Sequence, residues 1–324
     1  MSGQKVVYVA VQQFCEDDDR PRRLLTEAGY EIRQNALGRR LRGEEMVEHL
    51  QGVDAALAGS EPYDANLLAS LPRLRCISRC GVGTDAIDLE AARHLGVAIY
   101  TTAEEVVEPV AQMTVAMILA LARHLPRHLA DARSGQWIKH TGALLSEWTI
   151  GLVGFGGIGR EVERYLRMFR PRVLVADPYV DPKTLPAHVE LRPLTSLLAD
   201  ADLVSLHVAR RREDGVLIGR RELAAVKPGS RLVNTARGYL VDEVALYDAL
   251  QSGHLSGAAL DVFETEPYTG PLARLPQVLC TPHVASLTRA SRAAMELRCA
   301  QNVVNHFLGR ATSAHAVATS HSIP

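Results

Sequence analysis

The chain has 324 residues, which at about 150 residues per domain predicts two domains, each large enough for its own core. Hydrophobic residues make up 47% and charged residues 23% of the sequence, as in ordinary water-soluble proteins, which excludes a disordered or fibrous chain. The 36 lysines and arginines nearly balance the 37 aspartates and glutamates, so no excess positive charge is available to hold a nucleic acid.

The sequence predicts neither a membrane protein nor an exported one. The apolar run near the N-terminus is short and is followed by four acidic residues, which is unlike a signal peptide. The most apolar stretch, residues 109–122, contains Gln112 and falls short of the roughly 18 residues that a membrane span needs. We therefore expect a cytoplasmic protein. The five cysteines are odd in number and lack CxxC spacing, which predicts reduced, mostly buried thiols and no metal site.

The first hundred residues predict a repeat of strands and helices. Short, almost uninterrupted apolar runs are typical of strands buried on both faces of a parallel sheet, and they occur at 5–11, 55–59, 74–78 and 97–100. Amphipathic segments lie between them at Arg22–Ala28 and Leu89–Leu95, each followed by a glycine suited to end a helix. This part of the chain is therefore expected to form one doubly wound parallel sheet.

A second series of strands begins after a predicted helix at Glu105–Leu121, which we expect to bridge the domains. The predicted strands are 149–153, 172–176, 203–207, 231–234, 257–261 and 278–280. An amphipathic helix over Thr288–Phe307 follows, and the tail from Ala311 is expected to be loose. The predicted fold class is α/β, with two doubly wound parallel-sheet domains.

A glycine-rich segment marks a nucleotide site in the second series. Gly154, Gly156 and Gly159 form GxGxxG between a buried strand and an amphipathic helix, a spacing suited to a tight turn, a pyrophosphate contact and helix packing. The next strand ends at Asp177, where a carboxylate would accept both adenosine ribose hydroxyls, which favours NAD over NADP. The arginines at 210–212 are either a solvated surface run or a contact to a ribose phosphate.

Polar residues follow several strands of this sheet, at the edge where such folds bind ligands. They are Asp177, His207, Arg237, Asp261 and His283, with Glu264 and Glu266 shortly after Asp261. A histidine can move a proton on a substrate oxygen, a paired carboxylate keeps it protonated, and a guanidinium can bind a carboxylate bidentately. This set suits hydride transfer between NAD and a 2-hydroxy acid, although each residue could equally serve as an ion pair, a turn or an interface residue.

The sequence resembles the D-isomer-specific 2-hydroxyacid dehydrogenases, the family of phosphoglycerate dehydrogenase, D-lactate dehydrogenase and glyoxylate or hydroxypyruvate reductase. The likeness extends from about Arg79 to Thr288 and includes RCGVGTDAIDLEAARHLGV, GLVGFGGIG, LVNTARGYLVDEVALYDALQSGHLSGAALDVFETEP and TPHVAS. Several long motifs in the expected order make the match specific.

The resemblance implies a role for each site residue. Arg237 would bind the substrate carboxylate, Glu266 would pair with the catalytic His283, and the backbone amides of Val82 and Gly83 would also hold the substrate. The implied cofactor contacts are Gly154, Gly156, Gly157, Ile158, Gly159, Asp177, Val208, Thr235, Ala236, Arg237, Asp261, His283 and Ser286.

The resemblance also implies the architecture and leaves alternatives open. A flavodoxin-like substrate domain would comprise 1–100 plus 289–324, and a Rossmann NAD-binding domain would comprise 101–288. A homodimer would form through the cofactor domain and an arm at residues 134–137, although Trp137 could equally be a core residue. Ala58 stands where phosphoglycerate dehydrogenases carry a phosphate-binding arginine, which argues against that substrate. The alternatives are phosphoglycerate dehydrogenase, a phosphite or phosphonate oxidoreductase, and a non-catalytic NAD-sensing protein.

Overall fold

The computed structural model of the chain describes residues 3–209 and 212–310. Arg210, Arg211 and the tail expected to be loose lie outside the described residues. The strands are β1 Val6–Val9, β2 Glu31–Gln34, β3 Ala55–Ala58, β4 Cys76–Arg79, β5 Ala98–Tyr100, β6 Thr149–Val153, β7 Arg172–Ala176, β8 Val189–Leu191, β9 Leu203–Leu206, β10 Arg231–Asn234, β11 Gly257–Leu260 and β12 Val278–Cys280. The α-helices are α1 Arg20–Glu27, α2 Glu44–Leu50, α3 Ala65–Ala69, α4 Leu89–His94, α5 Val107–Ala122, α6 Leu125–Arg133, α7 Gly157–Leu166, α8 Leu194–Asp200, α9 Arg220–Ala225, α10 Glu243–Gln251 and α11 Arg289–Phe307.

The chain divides into two compact units. One contains the residues up to Val106 together with those from Leu287 onward, and the other spans Val107–Ser286. The sequence predicts a first boundary after residue 100, six residues before the observed one. It predicts a second boundary after residue 288, two residues after the observed one. The helix expected to bridge the domains, α5, begins the second unit and packs on α7, β10 and β11 within it.

The first unit is built on a five-stranded parallel sheet in the order β2-β1-β3-β4-β5. Successive residues of β1 point to opposite faces, so Tyr8 joins a core with α2, α3 and α4, while Val7 joins a core with α1 and α11. Covering both faces with helices is what a parallel sheet of apolar strands requires.

The second unit is built on a seven-stranded parallel sheet in the order β12-β11-β10-β9-β6-β7-β8. Its two cores also lie on opposite faces, one centred on Leu206, Leu232 and Leu260 and the other on Ile150 and Val233. The order reverses between β6 and β9, and in such sheets ligands bind at this switch point beyond the strand ends. The predicted fold class, α/β with two doubly wound parallel sheets, is confirmed.

None of the helices within the described residues has both the length and the apolarity that crossing a bilayer demands.

Candidate active site

The glycine-rich loop between β6 and α7 has room for a ligand at one position and is tightly packed at the other two. Gly154 has a φ of +92°, and a Cβ there would lie 2.7 Å from the carbonyl of His207. A Cβ at Gly159 would lie 2.3 Å from the Gly154 oxygen, so only glycine lets α7 approach the strand this closely. A Cβ at Gly156 would meet nothing within 4 Å. The N-terminus of α7 is therefore open to a phosphate beside Gly156, Gly157 and Ile158.

Asp177 lies just beyond β7 and is bonded to the glycine loop. One of its carboxylate oxygens accepts a hydrogen bond from the Phe155 amide at 2.7 Å, and the other accepts one from the Tyr179 amide at 2.9 Å. These two bonds fix the carboxylate beside the Gly154–Gly156 turn. Each oxygen keeps a further lone pair with which it can accept a ribose hydroxyl.

The loop after β10 positions Thr235, Ala236 and Arg237. The buried side chain of Asn234 donates to the Arg237 carbonyl at 2.7 Å and accepts from the Ala236 amide at 3.0 Å, which closes the loop into a tight turn. The Thr235 hydroxyl lies 2.8 Å from that of Thr114 on α5. Asn234 was not among the residues predicted from the sequence, because an asparagine at the end of a strand is usually no more than a turn former.

Glu266 and His283 form a hydrogen-bonded pair. The His283 Nδ1 atom lies 2.9 Å from the Glu266 Oε2 atom, and the Glu266 Oε1 atom accepts from the Phe263 amide at 3.1 Å. Both side chains are substantially exposed, at 52% for His283 and 37% for Glu266. The pair is therefore oriented by the backbone on one side and accessible to a substrate on the other.

The backbone at His283 has a conformation that side-chain-bearing residues rarely adopt. Its φ is +54°, in the left-handed region, and its amide donates to the carbonyls of Asp261 at 2.9 Å and Thr281 at 3.0 Å. Such strained residues persist only where the surrounding structure holds them, and they cluster at active sites. The conformation supports a functional role for His283.

Asp261 holds the loop that carries His283. Its carboxylate is fully buried, and its oxygens accept from the Thr281 hydroxyl at 2.5 Å and from the amides of Val284 and Ala285, both at 2.9 Å. This geometry supports a positioning role for Asp261, and the nicotinamide contact that the family resemblance implies stays a prediction. Sequence reasoning could not separate these roles, since both place an aspartate at the end of β11.

The remaining predicted cofactor contacts lie on neighbouring loops of the same unit. Val208 follows β9, and its Cγ1 atom would lie 2.9 Å from a Cβ at Gly154, so its side chain packs against the glycine turn. Ser286 ends the unit, shortly after the loop that Asp261 holds. His207, noted in the sequence only as a residue after a strand, packs its backbone against Gly154, and its Nε2 atom lies 2.9 Å from the Ser205 hydroxyl.

Val82 and Gly83 belong to the first unit, in the loop that follows β4. This loop begins at Gly81, whose φ is +136° and whose amide donates to the Thr102 hydroxyl at 2.7 Å. Val82 is 39% exposed. The loop is anchored at its start and presents Val82 to the surface, as a backbone anion-binding loop would.

Two other predictions have structural outcomes. All five cysteines are free, but only Cys76 and Cys299 are buried, so the expectation that most are buried was wrong. Trp137 is 89% exposed, which excludes the core alternative. Within the described residues, no group of three or more His, Cys, Asp or Glu side chains could hold a metal ion.

Residues 115–285 match the family model described as D-isomer specific 2-hydroxyacid dehydrogenase, NAD binding domain. The chain belongs to this family. The matched segment falls within the second unit and contains the glycine loop, Asp177, Arg237, Glu266 and His283. NAD is accordingly the cofactor, in agreement with the preference predicted from Asp177.

Curated relatives differ in how much of their length this chain spans. A glyoxylate reductase from Pyrococcus furiosus is 35% identical, over 86% of this chain and 87% of the relative. A D-3-phosphoglycerate dehydrogenase from Mycobacterium tuberculosis is 38% identical, over 76% of this chain but 47% of the relative, so this chain spans about half of its length.

Solved structures cover nearly the whole chain. The TT0316 protein from Thermus thermophilus is 34% identical, with a TM-score of 0.86 over 95% of this chain and 99% of that one. D-lactate dehydrogenase from Aquifex aeolicus, complexed with NAD and lactic acid, is 27% identical, with a TM-score of 0.82 over 94% and 96%.

Proposed function

We propose that this protein is an NAD-dependent D-2-hydroxyacid dehydrogenase that interconverts a small 2-oxo acid and the corresponding 2-hydroxy acid. The observation that carries the proposal is the 2.9 Å pair between His283 Nδ1 and Glu266 Oε2. Pairing through Nδ1 leaves Nε2 as the ring atom that can exchange a proton with a substrate oxygen. The carboxylate orients the imidazole ring, and a protonated His283 could donate its Nε2 proton to a ketone during the reduction.

The residues of the second unit fit a dinucleotide. The open position at Gly156 and the N-terminus of the ten-residue helix α7 suit a pyrophosphate, and Asp177 suits the adenosine ribose. NAD supplies the hydride acceptor or donor when it is bound. Around it, the Val208 side chain and the loop of residues 235–237 would limit access of water from the β9 and β10 side.

Arg237, in the second unit, is proposed to bind the substrate carboxylate. A guanidinium can bind a carboxylate bidentately and also polarise the adjacent carbonyl, a task that lysine performs poorly. In the first unit, the backbone amides at 82 and 83 are proposed to hold a substrate carboxylate. His283 would then donate its proton to the 2-oxo oxygen, or remove the hydroxyl proton in the reverse direction.

Glyoxylate and hydroxypyruvate are the first substrates to test. Two relatives of which this chain spans 87% and 83% are named glyoxylate reductase and hydroxypyruvate reductase. Ala58, at the end of β3, is fully buried and offers no charge to a substrate phosphate. This supports a small uncharged substituent over the phosphate of 3-phosphoglycerate.

We also propose a homodimer that uses the arm at residues 134–137 together with its flanking residues, a segment of residues 125–138. In this segment Leu125, Leu129, Trp137 and Ile138 are all exposed by 47% or more, an apolar surface that suits burial against a second copy. Light scattering during gel filtration tests the assembly. A dimer in the wild type and a monomer in Trp137→Asp would support the proposal, whereas a monomeric wild type would contradict it.

A panel of oxo acids tests the activity. Purified protein is mixed with NADH or NADPH and with glyoxylate, hydroxypyruvate, pyruvate, phenylpyruvate or 3-phosphohydroxypyruvate, and loss of the reduced cofactor is followed by absorbance. NADH-dependent turnover of at least one small oxo acid is expected. Tight NADH binding without turnover of any member would support the NAD-sensing alternative. Turnover of phosphite or a phosphonate alone would support that oxidoreductase alternative.

A further inference from the structure

Two cysteines of the first unit are adjacent in space. Cys80 follows β4 directly, and Cys299 lies on α11 with its thiol 3.6 Å from the carbonyl oxygen of Ser78. Cys80 packs against the same apolar core that contains Cys299.

The surroundings hold this pair firmly and leave one member accessible. The Asn302 side chain donates to the Ser78 hydroxyl at 3.1 Å, which fixes α11 against β4 one turn beyond Cys299. Cys299 is fully buried, whereas Cys80 is half-buried. A small oxidant can therefore reach Cys80, and Cys299 is protected from direct attack.

Positive charge favours the thiolate at Cys80. The hydrogen bond from Cys299 lowers the pKa of the Cys80 thiol, and the guanidinium groups of Arg79 and Arg292 act in the same direction, against burial and the charge of Glu296. One Arg292 nitrogen is buried without a hydrogen-bond partner in the described structure, so it can stabilise a developing anion. Burial and the Cys80 contact instead raise the pKa of Cys299. An accessible, acidic thiol beside a second cysteine is the arrangement typical of redox-sensitive sites.

We propose that Cys80 and Cys299 form a peroxide-sensitive dithiol that closes to a disulfide. The Cys80 thiolate attacks hydrogen peroxide, the O–O bond breaks, and Cys80 sulfenic acid and one water form after protonation. The Cys299 thiol then attacks the sulfenic sulfur, forming the S–S bond and releasing a second water. The two thiols together lose two electrons and two protons, and the peroxide is reduced to two waters.

Oxidation would act on the loop that we propose binds the substrate carboxylate, and in this respect the inference rests on the proposed function. Cys80 immediately precedes Gly81, where the loop of Val82 and Gly83 begins. A disulfide to α11 would pull on the first residue of this loop. We expect the KM for the oxo acid to rise, while NADH binding, which we assign to the other unit, stays unchanged.

Peptide mapping tests the disulfide without reference to activity. Trypsin cleaves after Arg79 and after Arg298, which places Cys80 in the peptide 80–93 and Cys299 in the peptide 299–310. The full-length protein is treated with hydrogen peroxide, alkylated, digested without reductant and analysed by mass spectrometry. Linked 80–93 and 299–310 peptides, which separate on reduction, are expected. Their absence, or linkage of either peptide to Cys15 or Cys76, would overturn the proposal.

Activity and matched variants test the functional consequence. Peroxide should lower kcat/KM for the oxo acid by roughly 10- to 100-fold, since small displacements of a binding loop can cost that much. Dithiothreitol should restore it, and Cys80→Ser and Cys299→Ser should not form the linked peptides. Cys15→Ser is the control, because burial raises the pKa of that thiol and its oxidation is not expected to contribute. Formation of the disulfide with unchanged kcat/KM would overturn the proposed effect on the substrate loop. A protein that forms the disulfide but turns over no oxo acid would contradict the proposed dehydrogenase activity and leave the disulfide proposal intact.

Discussion

Gly238 packs directly against the backbone of Phe263. A Cβ at position 238 would lie 1.9 Å from the Phe263 carbonyl carbon and 2.1 Å from its oxygen. This contact joins the loop that carries Arg237 to the loop whose Phe263 amide orients Glu266. The proposed substrate-binding and acid–base groups are therefore held together by a position that only glycine can fill.

Replacing Gly238 with alanine should disrupt both loops. The atoms that the new Cβ would meet belong to the backbone, which cannot move aside as a flexible side chain can. We therefore expect the free energy of unfolding to fall by about 3 kcal/mol, the upper end of the range for overpacking. kcat/KM should fall as well, because Arg237 shifts relative to Glu266. Denaturant unfolding and steady-state kinetics measure these effects, with Gly3→Ala as the control because a Cβ there meets nothing within 4 Å. A stable, fully active Gly238→Ala protein would contradict this account.

His283→Ala should abolish turnover and spare the binding of NADH. Removing a positioned general acid typically costs about 10²- to 10⁴-fold in kcat. Glu266→Gln keeps an oxygen that can accept from the Phe263 amide but removes the charge beside His283, so a smaller loss of kcat is expected. Fluorescence titration with NADH and steady-state kinetics separate binding from turnover. His94→Ala, on the exposed face of α4, is the control. Wild-type rates in His283→Ala would assign the proton transfer to another group.

Asp261→Asn should loosen the His283 loop. The carboxylate accepts three hydrogen bonds in a fully buried position, and an amide nitrogen there would face an N–H or O–H donor. Leaving a buried donor unsatisfied costs about 1–3 kcal/mol, so both stability and kcat should fall. Asp248→Asn, which affects an exposed ion pair, is the control for charge removal. An Asp261→Asn protein with normal stability and lowered NADH affinity would instead favour direct contact with the cofactor.

Much of the fold could be predicted because most of the strands are short, uninterrupted apolar runs. β6, β7, β10 and β12 have the predicted bounds. β2, with the sequence EIRQ, and β8, with the sequence VEL, were not predicted from the sequence. Both are edge strands that pair on one side only, and their polar residues give no buried run to detect.

The site could be predicted only as a set of residue types at strand ends. Arg237, Glu266 and His283 carry recognisable chemistry, and the family motifs assign their roles. The contact of Gly238 with Phe263 and the hydrogen bonds of Asn234 depend on how two loops meet in space. No spacing along the chain predicts these contacts between loops, so the supporting residues could be identified only from the structure.

Asp177→Ala should lower the preference for NADH over NADPH. The carboxylate is fixed by the amides of Phe155 and Tyr179, and its loss removes the ribose acceptor together with the charge that repels a 2′-phosphate. A hydrogen bond to a charged group is worth about 1.5–3 kcal/mol, so NADH affinity should fall at least about tenfold. Cofactor titrations measure the ratio, and Asp181→Ala, at an exposed turn, is the control. An unchanged ratio would point to Arg212 and its neighbours as the selecting residues.

His207 should make the protein less stable in mild acid. Burial lowers the pKa of His207 from 6.5 to about 4, and its Nδ1 atom is buried without a partner in the described structure, although the residue is partly exposed overall. Above pH 6.5 both states are neutral at this residue, and as the pH falls toward 4 the unfolded chain binds a proton that the folded chain does not. The free energy of unfolding should therefore drop by no more than about 3 kcal/mol across this window.

Urea unfolding near neutral pH and in mild acid measures this drop. His207→Gln should lose less stability between the two conditions than the wild type does, and His94→Gln, on the exposed face of α4, should behave as the wild type does. Equal losses in His207→Gln and the wild type would place the acid sensitivity elsewhere.

Helix α11 supplies Cys299, Ala300, Val303 and Val304 to the same core as Val7 and Leu57. Cys299 meets Ser78 across 221 positions of the chain. A ribosome must therefore complete the whole cofactor-binding unit before the first unit receives its missing helix. Until then, α1 alone covers that apolar face of β1 and β3, so the earliest-synthesised strands are the last to complete their core and stay partly exposed to chaperones.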